Sequence, residues 1–285
     1  MVGLSWRVAG AIGAAAMVLA GCATMPESPE QAAANDTGLT ATRAGYVDLI
    51  LEDTIGTSTP MHEDDIFAIV ASYGGGYITD ATVTGPVGTP DEKLTFDTVL
   101  GASGITNWMQ GESYGGPSAI QCFRFTTGYY AHVTHTSIPC APGTTATRAA
   151  ADAHRQATAT AVAATYRHFK TGQTMPADRV QAEQIAGLGT LPTAANTAIS
   201  KPSPLPSTPT PVSADYATGH GAAALALRQP DGACIYLQIT PVAATRVTAS
   251  GVSLYGWAAP TKAPCTASAA LTNAEYITYN SRAGG

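Results

Sequence analysis

The chain contains Leu94-Thr95-Phe96-Asp97-Thr98-Val99-Leu100 and Ile120-Gln121-Cys122-Phe123-Arg124-Phe125-Thr126, and these two runs decide the fold class. Both are rich in β-branched and aromatic residues, a composition typical of β-strands. Shorter runs of the same kind lie at 77–79 and 129–134, and Gly, Pro and Asp residues separate the four runs. Turn residues between short β-rich runs favour an antiparallel sheet. We therefore predict an antiparallel sheet within residues 77–136.

Helical patterns flank this sheet. Thr144 to Lys170 is an alanine-rich stretch that begins with a possible capping threonine and precedes Gly172, as expected of a long helix. An earlier helix is predicted to start with Thr59 as its cap and Pro60 in its first turn. A shorter helix is predicted at 176–186. Together these patterns predict an α+β fold: an antiparallel β-sheet with flanking helices, followed by a smaller β-rich, disulfide-containing unit.

A proline-rich stretch divides the chain. Residues 192–213 contain repeated prolines among Ser, Thr and Ala, a composition typical of an extended spacer between domains. We therefore predict an α+β domain at 43–191, a linker at 192–213 and a small β-rich domain at 214–285. One alternative stays open: a single composite domain whose two halves pair across the spacer.

The N-terminus carries a targeting signal. Arg7 is followed by an uncharged, mostly apolar stretch from Val8 to Ala20, which has the length of a secretory signal and is too short to span a bilayer. Leu19-Ala20-Gly21-Cys22 then resembles the lipobox of bacterial lipoproteins. This resemblance implies a signal peptide at 1–21, a lipid on Cys22 and attachment to the extracytoplasmic face of the membrane. Residues 22–42 have almost no large apolar side chains, so we predict a disordered tether there.

The cysteine count supports export. Five cysteines is an odd number, and lipidation of Cys22 leaves an even set of four. We predict the disulfides Cys122–Cys140 and Cys234–Cys265, from a preference for local pairing among the three connectivities that four cysteines allow. A faint repeat accompanies them, because in each half a strand-borne cysteine is followed by Pro-Cys and then by a possible helix.

The charge pattern excludes some partners. The chain has 14 Lys+Arg and 20 Asp+Glu, a formal net charge of −6, with no basic run that would bind nucleic acid. Its abundant alanine and its excess of arginine over lysine are typical of high-GC bacteria such as actinobacteria. We predict a membrane partner through the lipid on Cys22, an envelope protein or a glycan as a further partner, and no nucleic acid.

One motif suggests catalysis. Gly111-Glu112-Ser113-Tyr114-Gly115 matches G-x-S-x-G and looks like the nucleophile elbow of some α/β-hydrolase peptidases, with Asp178 and His220 as the only reasonable acid and base. The elbow needs a strand before the serine and a helix after it. The surrounding residues give neither pattern, so a glycine-rich loop is the favoured interpretation and Ser113 is only a candidate nucleophile.

Metal and cofactor sites are not predicted. Two histidines, His132 and His135, are separated by three positions, which on a strand would point them to opposite faces. The segment from His62 to Asp65 has oxygen ligands, but a helix start with acidic residues explains it. The sequence contains no thioredoxin-like C-x-x-C motif, P-loop or dinucleotide-binding glycine fingerprint.

Three aromatic residues are candidate ligand contacts, although core packing is the favoured explanation for them. They are Trp108, Tyr114 and Trp257. The sequence as a whole favours a non-enzymatic envelope lipoprotein that binds or scaffolds a partner. The alternative is a cell-surface serine hydrolase that uses Ser113.

Overall fold

The computed structural model describes residues 29–57, 62–86, 89, 91–101, 119–127, 132–192, 211–246 and 249–272. These residues form two antiparallel β-sheets with helices packed against them, which confirms the predicted α+β class. Within the described ranges, the helices lack the length and the apolar character that a membrane span requires.

The first sheet is a four-stranded meander in the order β1-β2-β3-β4. Its strands are β1 (Tyr77–Thr84), β2 (Lys93–Leu100), β3 (Gln121–Thr127) and β4 (Val133–Ile138). Two helices precede it: α1 (Pro29–Thr57) and α2 (Glu63–Ile69), which continues into a π-helical turn at Val70–Gly74. Aliphatic side chains of α1 and aromatic side chains of β2 and β3 share one core.

The second sheet has five strands in the order β5-β9-β8-β7-β6. They are β5 (His168–Thr171), β6 (Ser213–Gly219), β7 (Ala222–Arg228), β8 (Cys234–Val242) and β9 (Gly251–Ala258). Its helices are α3 (Ala146–Ala164), α4 (Arg179–Ile185) and α5 (Ala267–Thr272). Successive side chains of β7 point to opposite faces of the sheet. Leu225 and Leu227 lie on the face that packs against α4, and Ala224 and Ala226 lie on the face that packs against α5.

Part of the predicted tether, residues 29–42, is helical, and residues 22–28 lie outside the described residues. Helix α1 begins at Pro29, so residues 29–42 are helical rather than disordered. Proline suits a first helical position, and the alanines that follow it are good helix formers. The downstream part of α1 buries Val47, Leu51 and Ile55 against the first sheet, and this packing stabilises a helix that composition alone does not predict.

Helix α3 is shorter than predicted and belongs to both cores. It starts next to Thr145, whose hydroxyl accepts the Arg148 N–H at 3.3 Å, but it ends at Ala164 instead of Lys170. The residues beyond it form β5, because pairing with β9 satisfies their backbone groups. Near its start Ala149 and Ala153 pack in the first core, whereas Ala163 near its end packs in the second.

The predicted domain boundary therefore does not divide the structure. Strand β5 and helix α4 precede residues 192–213, yet both pack with the second sheet, whose remaining strands follow that segment. Residues 43–191 and 214–285 are consequently not separate units. The composite arrangement, in which the halves pair across the spacer, matches the described residues.

Helix α2 starts at Glu63, and Thr59 and Pro60 lie outside the described residues. His62 is its N-cap, and the His62 backbone N–H donates to the Asp65 carboxylate at 3.0 Å. Three acidic residues occupy the first turn, as predicted, and complement the helix dipole there.

Both predicted disulfides, Cys122–Cys140 and Cys234–Cys265, are confirmed. The two disulfides occupy equivalent positions in a structural repeat. In each half a helix precedes a four-stranded meander, a cysteine on its third strand (β3 or β8) bonds to a cysteine after its fourth strand, and a helix follows. We call the two segments that carry the second cysteines, residues 139–145 and 259–266, the disulfide corners.

Candidate functional site

A cleft of about 590 Å³ lies between the two halves of the molecule. Its walls come from α2, β1, α3, the β7–β8 turn and the segment between β9 and α5. Both disulfide corners line it, one through Ala141, Pro142 and Thr144 and the other through residues 259–263 and Cys265. A volume of this size suits a small-molecule or short oligomeric ligand.

A turn at Thr261 and Lys262 forms part of the cleft wall. Glu63, which is almost fully buried, accepts hydrogen bonds from the Thr261 N–H at 3.1 Å and from the Thr261 hydroxyl at 2.6 Å. Lys262 has a left-handed backbone, with φ at 70°, and its ammonium group lies 2.8 Å from the Asp80 carboxylate. A non-glycine residue in this conformation is strained, so these two contacts hold the turn in place.

A β-bulge forms another part of the wall. The pairing of β1 with β2 shifts register between Ile78 and Asp80, which leaves Thr79 facing no partner residue. The Ile78 N–H donates instead to the Gln156 side chain of α3 at 2.9 Å. Bulges redirect side chains and are frequent beside binding sites, and here the bulge places Thr79 and Gln156 on the cleft.

The deepest ionisable group at the cleft is Asp64. Its side chain has no exposed surface, and its carboxylate accepts a hydrogen bond from the Arg167 guanidinium at 2.7 Å. Burial raises the pKa of Asp64 to about 7, the nearby Asp65 carboxylate adds to this rise, and Arg167 opposes it. Arg167 also donates to the Gly256 carbonyl at 2.9 Å and stacks over the Tyr255 ring. These contacts dock α2 onto β9.

His62 joins the same contact between α2 and β9. Its ring centroid lies 4.7 Å from that of Tyr255 and 4.7 Å from that of Trp257, with nearly parallel planes. Burial lowers the pKa of His62 to about 4, against the opposing effect of Asp65. The imidazole is therefore neutral at pH 7 and packs as an aromatic ring.

The candidate ligand contact Trp257 is a core residue. It is only 1 % exposed and packs edge-on against Tyr236 as well as against His62. The other two aromatic candidates, Trp108 and Tyr114, lie outside the described residues, as does Ser113. Cys22 also lies outside them.

The acid and base that were proposed for Ser113 have other roles. Asp178 is the N-cap of α4 and accepts the Gln181 N–H at 2.9 Å. His220 is exposed in the β6–β7 turn with a left-handed φ of 53°. Each residue is thus accounted for by local structure.

A different acid–histidine pair connects α1 and β4. The Asp48 carboxylate bonds to the His135 imidazole, while the Glu52 carboxylate lies 3.8 Å from His132 and accepts the Val133 N–H at 3.0 Å. Both histidines therefore approach α1, because His132 precedes the strand and does not follow its alternation. This corrects the expectation of opposite faces. Within the described residues, no group of three His, Cys, Asp or Glu side chains could hold a metal ion.

Sequence reasoning missed the arginines of the cleft. Three arginines line the cleft: Arg148 and Arg155 of α3, and Arg228 at the end of β7. None of them belongs to a recognisable sequence motif. Their only sequence signal is scarcity, since the chain has few basic residues. Comparison of the chain with protein-family models, with curated proteins and with solved structures gives no match.

Proposed function

We propose that this protein is a membrane-anchored extracytoplasmic lipoprotein that binds an envelope partner, a protein or a glycan, without catalysis. The lipobox-like Leu19-Ala20-Gly21-Cys22 supports the anchor and its position outside the cytoplasm. The two disulfides support the same compartment, because disulfides persist in oxidising environments.

The cleft is the observation that carries the binding role. Its carboxylates are engaged in contacts within the protein: Glu63 with Thr261, Asp64 with Arg167, and Asp152 with Arg155 at 2.8 Å. Arg155 and Lys262 are likewise paired, with Asp152 and Asp80, so the groups that the walls leave most open to a ligand are Arg148, Arg228 and several hydroxyls. Such an arrangement suits recognition more than acid–base chemistry, which needs a carboxylate or imidazole available to the substrate.

Replacing Cys22 with serine tests the anchor. The thiol is the group that would be acylated, so the Cys22→Ser protein is expected to leave the membrane fraction or to remain unprocessed. Cell fractionation and intact mass of the wild type and the variant measure this. A Cys22→Ser protein that is still processed and still membrane-bound would contradict the lipoprotein proposal.

A second candidate function, a serine hydrolase using Ser113, gains one supporting observation from the Asp48–His135 pair. A carboxylate that orients a histidine is part of the arrangement that activates a nucleophilic serine. On the non-enzymatic proposal, a fluorophosphonate probe should label the wild type and Ser113→Ala to the same background level. Labelling that is lost in Ser113→Ala and reduced in His135→Gln would favour the hydrolase instead.

A further inference from the structure

We propose that the cleft binds the oxyanion, carboxylate or phosphate, of an anionic ligand, with Arg228 as the central contact. This inference rests on the proposed binding function and adds the chemical class of the ligand. It arises from the charges that the fold collects at one place, although the chain as a whole has a net charge of −6.

Four cationic side chains from three separate parts of the fold line the cleft. Arg148 and Arg155 stand on α3, Arg228 ends β7, and Lys262 lies in the turn between β9 and α5. Convergence of cations from distant parts of the chain raises the local potential and attracts anions. Guanidinium groups suit this role because their planar donors match a carboxylate or phosphate in bidentate geometry.

The carboxylates nearby offset two of these charges, since Asp80 pairs with Lys262 and Asp152 with Arg155, each at 2.8 Å, and they leave Arg148 and Arg228 for a ligand. Asp152 pairs closely with Arg155, but its distance to Arg148 is 4.0 Å, and the Arg148 side chain is 70 % exposed. An exposed ion pair of this kind contributes little, so Arg148 can turn to a ligand at small cost. The charge of Asp64 is compensated by Arg167, which does not line the cleft.

Arg228 is the most available of these groups. Among the described residues no carboxylate lies within ion-pair distance of it, and its side chain is only partly exposed. It stands opposite Cys234 in the β7–β8 pairing, so the Cys234–Cys265 disulfide fixes the backbone beside it. A partly buried arginine on a rigid wall is preorganised for an anionic group, which lowers the entropic cost of binding.

Calorimetric titration of the full chain carrying Cys22→Ser tests the inference with matched probes. Trigalacturonate supplies carboxylates on a saccharide, and maltotriose is its neutral counterpart. Trigalacturonate is expected to bind saturably, and Arg228→Gln is expected to weaken binding about tenfold or more, since charge-assisted hydrogen bonds are lost. Arg246→Gln, at an exposed arginine outside the cleft, is the matched control and should bind like the parent.

A second arm distinguishes a lipid headgroup from a soluble anion. Cosedimentation with phosphatidylglycerol vesicles but not with phosphatidylcholine vesicles, lost in Arg228→Gln, would support the inference with a lipid phosphate as the source. Arg148→Gln, at an exposed site, repeats the test should Arg228→Gln fail to fold. The inference is overturned if neither anionic probe binds, if the arginine variants bind like the parent, or if maltotriose binds as well as trigalacturonate. The proposed membrane anchoring is tested separately, by fractionation of the Cys22→Ser protein, so either proposal can fail without the other.

Discussion

Replacing Gly256 with alanine is expected to lower the free energy of unfolding by about 3 kcal/mol. Gly256 lies in β9 where the end of α3 crosses it, and an added Cβ would lie 2.4 Å from the Ala163 carbonyl oxygen. That oxygen belongs to the backbone, so the clash can be relieved only by moving the helix away from the sheet. Denaturant titration followed by circular dichroism measures the effect.

Gly189→Ala is the matched control for this substitution. A Cβ added at Gly189 meets no atom within 4 Å, so the same chemical change should alter the free energy of unfolding by less than about 0.5 kcal/mol. Equal unfolding midpoints for the two variants would show that α3 does not rest on β9 as closely as described.

The Gly256 variant also tests whether the two halves unfold together. Helix α3 places Ala149 and Ala153 in the first core and Ala163 in the second, so displacing its end disturbs a structure that both halves share. A single unfolding transition, shifted as a whole, is the expected result. Two separate unfolding transitions, of which only one shifts in the variant, would instead support two independent domains on either side of residues 192–213.

The strands and disulfides were predictable because their signals are local. The runs at 94–100 and 120–126 alternate and carry β-branched and aromatic residues, and they form β2 and β3. The cysteine pairs are separated by only 18 and 31 positions, so a preference for local pairing identified them. Helix α2 was located to within a few residues by its acidic first turn.

The site was not predictable because its contacts are long-range. The Arg167–Asp64 bond joins residues 103 positions apart, and the Thr261–Glu63 bonds span 198 positions. The acidic residues Glu63 and Asp64 correctly indicated a helix start, but nothing in the sequence indicates that this helix start also docks onto β9. Strand β5 was likewise hidden, because His168 to Thr171 continues an alanine-rich helix pattern and becomes a strand only through its partner β9.

Replacing Asp64 with asparagine is expected to reveal a pH dependence of stability that the wild type conceals. The folded-state pKa of His62 is lowered from 6.5 to about 4, so its contribution to stability is lost as the pH falls from about 6.5 to 4. The pKa of Asp64 is raised from 3.8 to about 7, so its contribution is present below about pH 4 and is lost as the pH rises to 7. Between pH 4 and 6.5 the folded state holds a proton on Asp64, the unfolded state holds one on His62, and the two effects cancel.

Removing either group breaks this cancellation. In Asp64→Asn only the His62 effect remains, so relative to wild type the free energy of unfolding should fall by about 3 kcal/mol as the pH is lowered from 6.5 to 4. In His62→Phe, which keeps an aromatic ring against Tyr255 and Trp257, the Asp64 effect is no longer offset, so the free energy of unfolding relative to wild type should fall by about 3 kcal/mol as the pH rises from 4 to 6.5. The two difference curves therefore slope in opposite directions.

Equilibrium unfolding in urea at pH 4, 5, 6 and 7 gives these curves, with Asp91→Asn, at an exposed carboxylate, as the control. Other titrating groups contribute equally to each protein and drop out of the differences. A difference curve for Asp64→Asn that stays flat from pH 4 to 7 would mean that Asp64 titrates alike in the folded and unfolded chains. The carboxylate would then have to be reached by water, and the Arg167 contact would be a surface ion pair, worth at most about 1 kcal/mol. Opposite slopes for the two variants would instead show that α2 docks onto β9 through a neutral histidine and a buried acid, which holds one wall of the cleft in place.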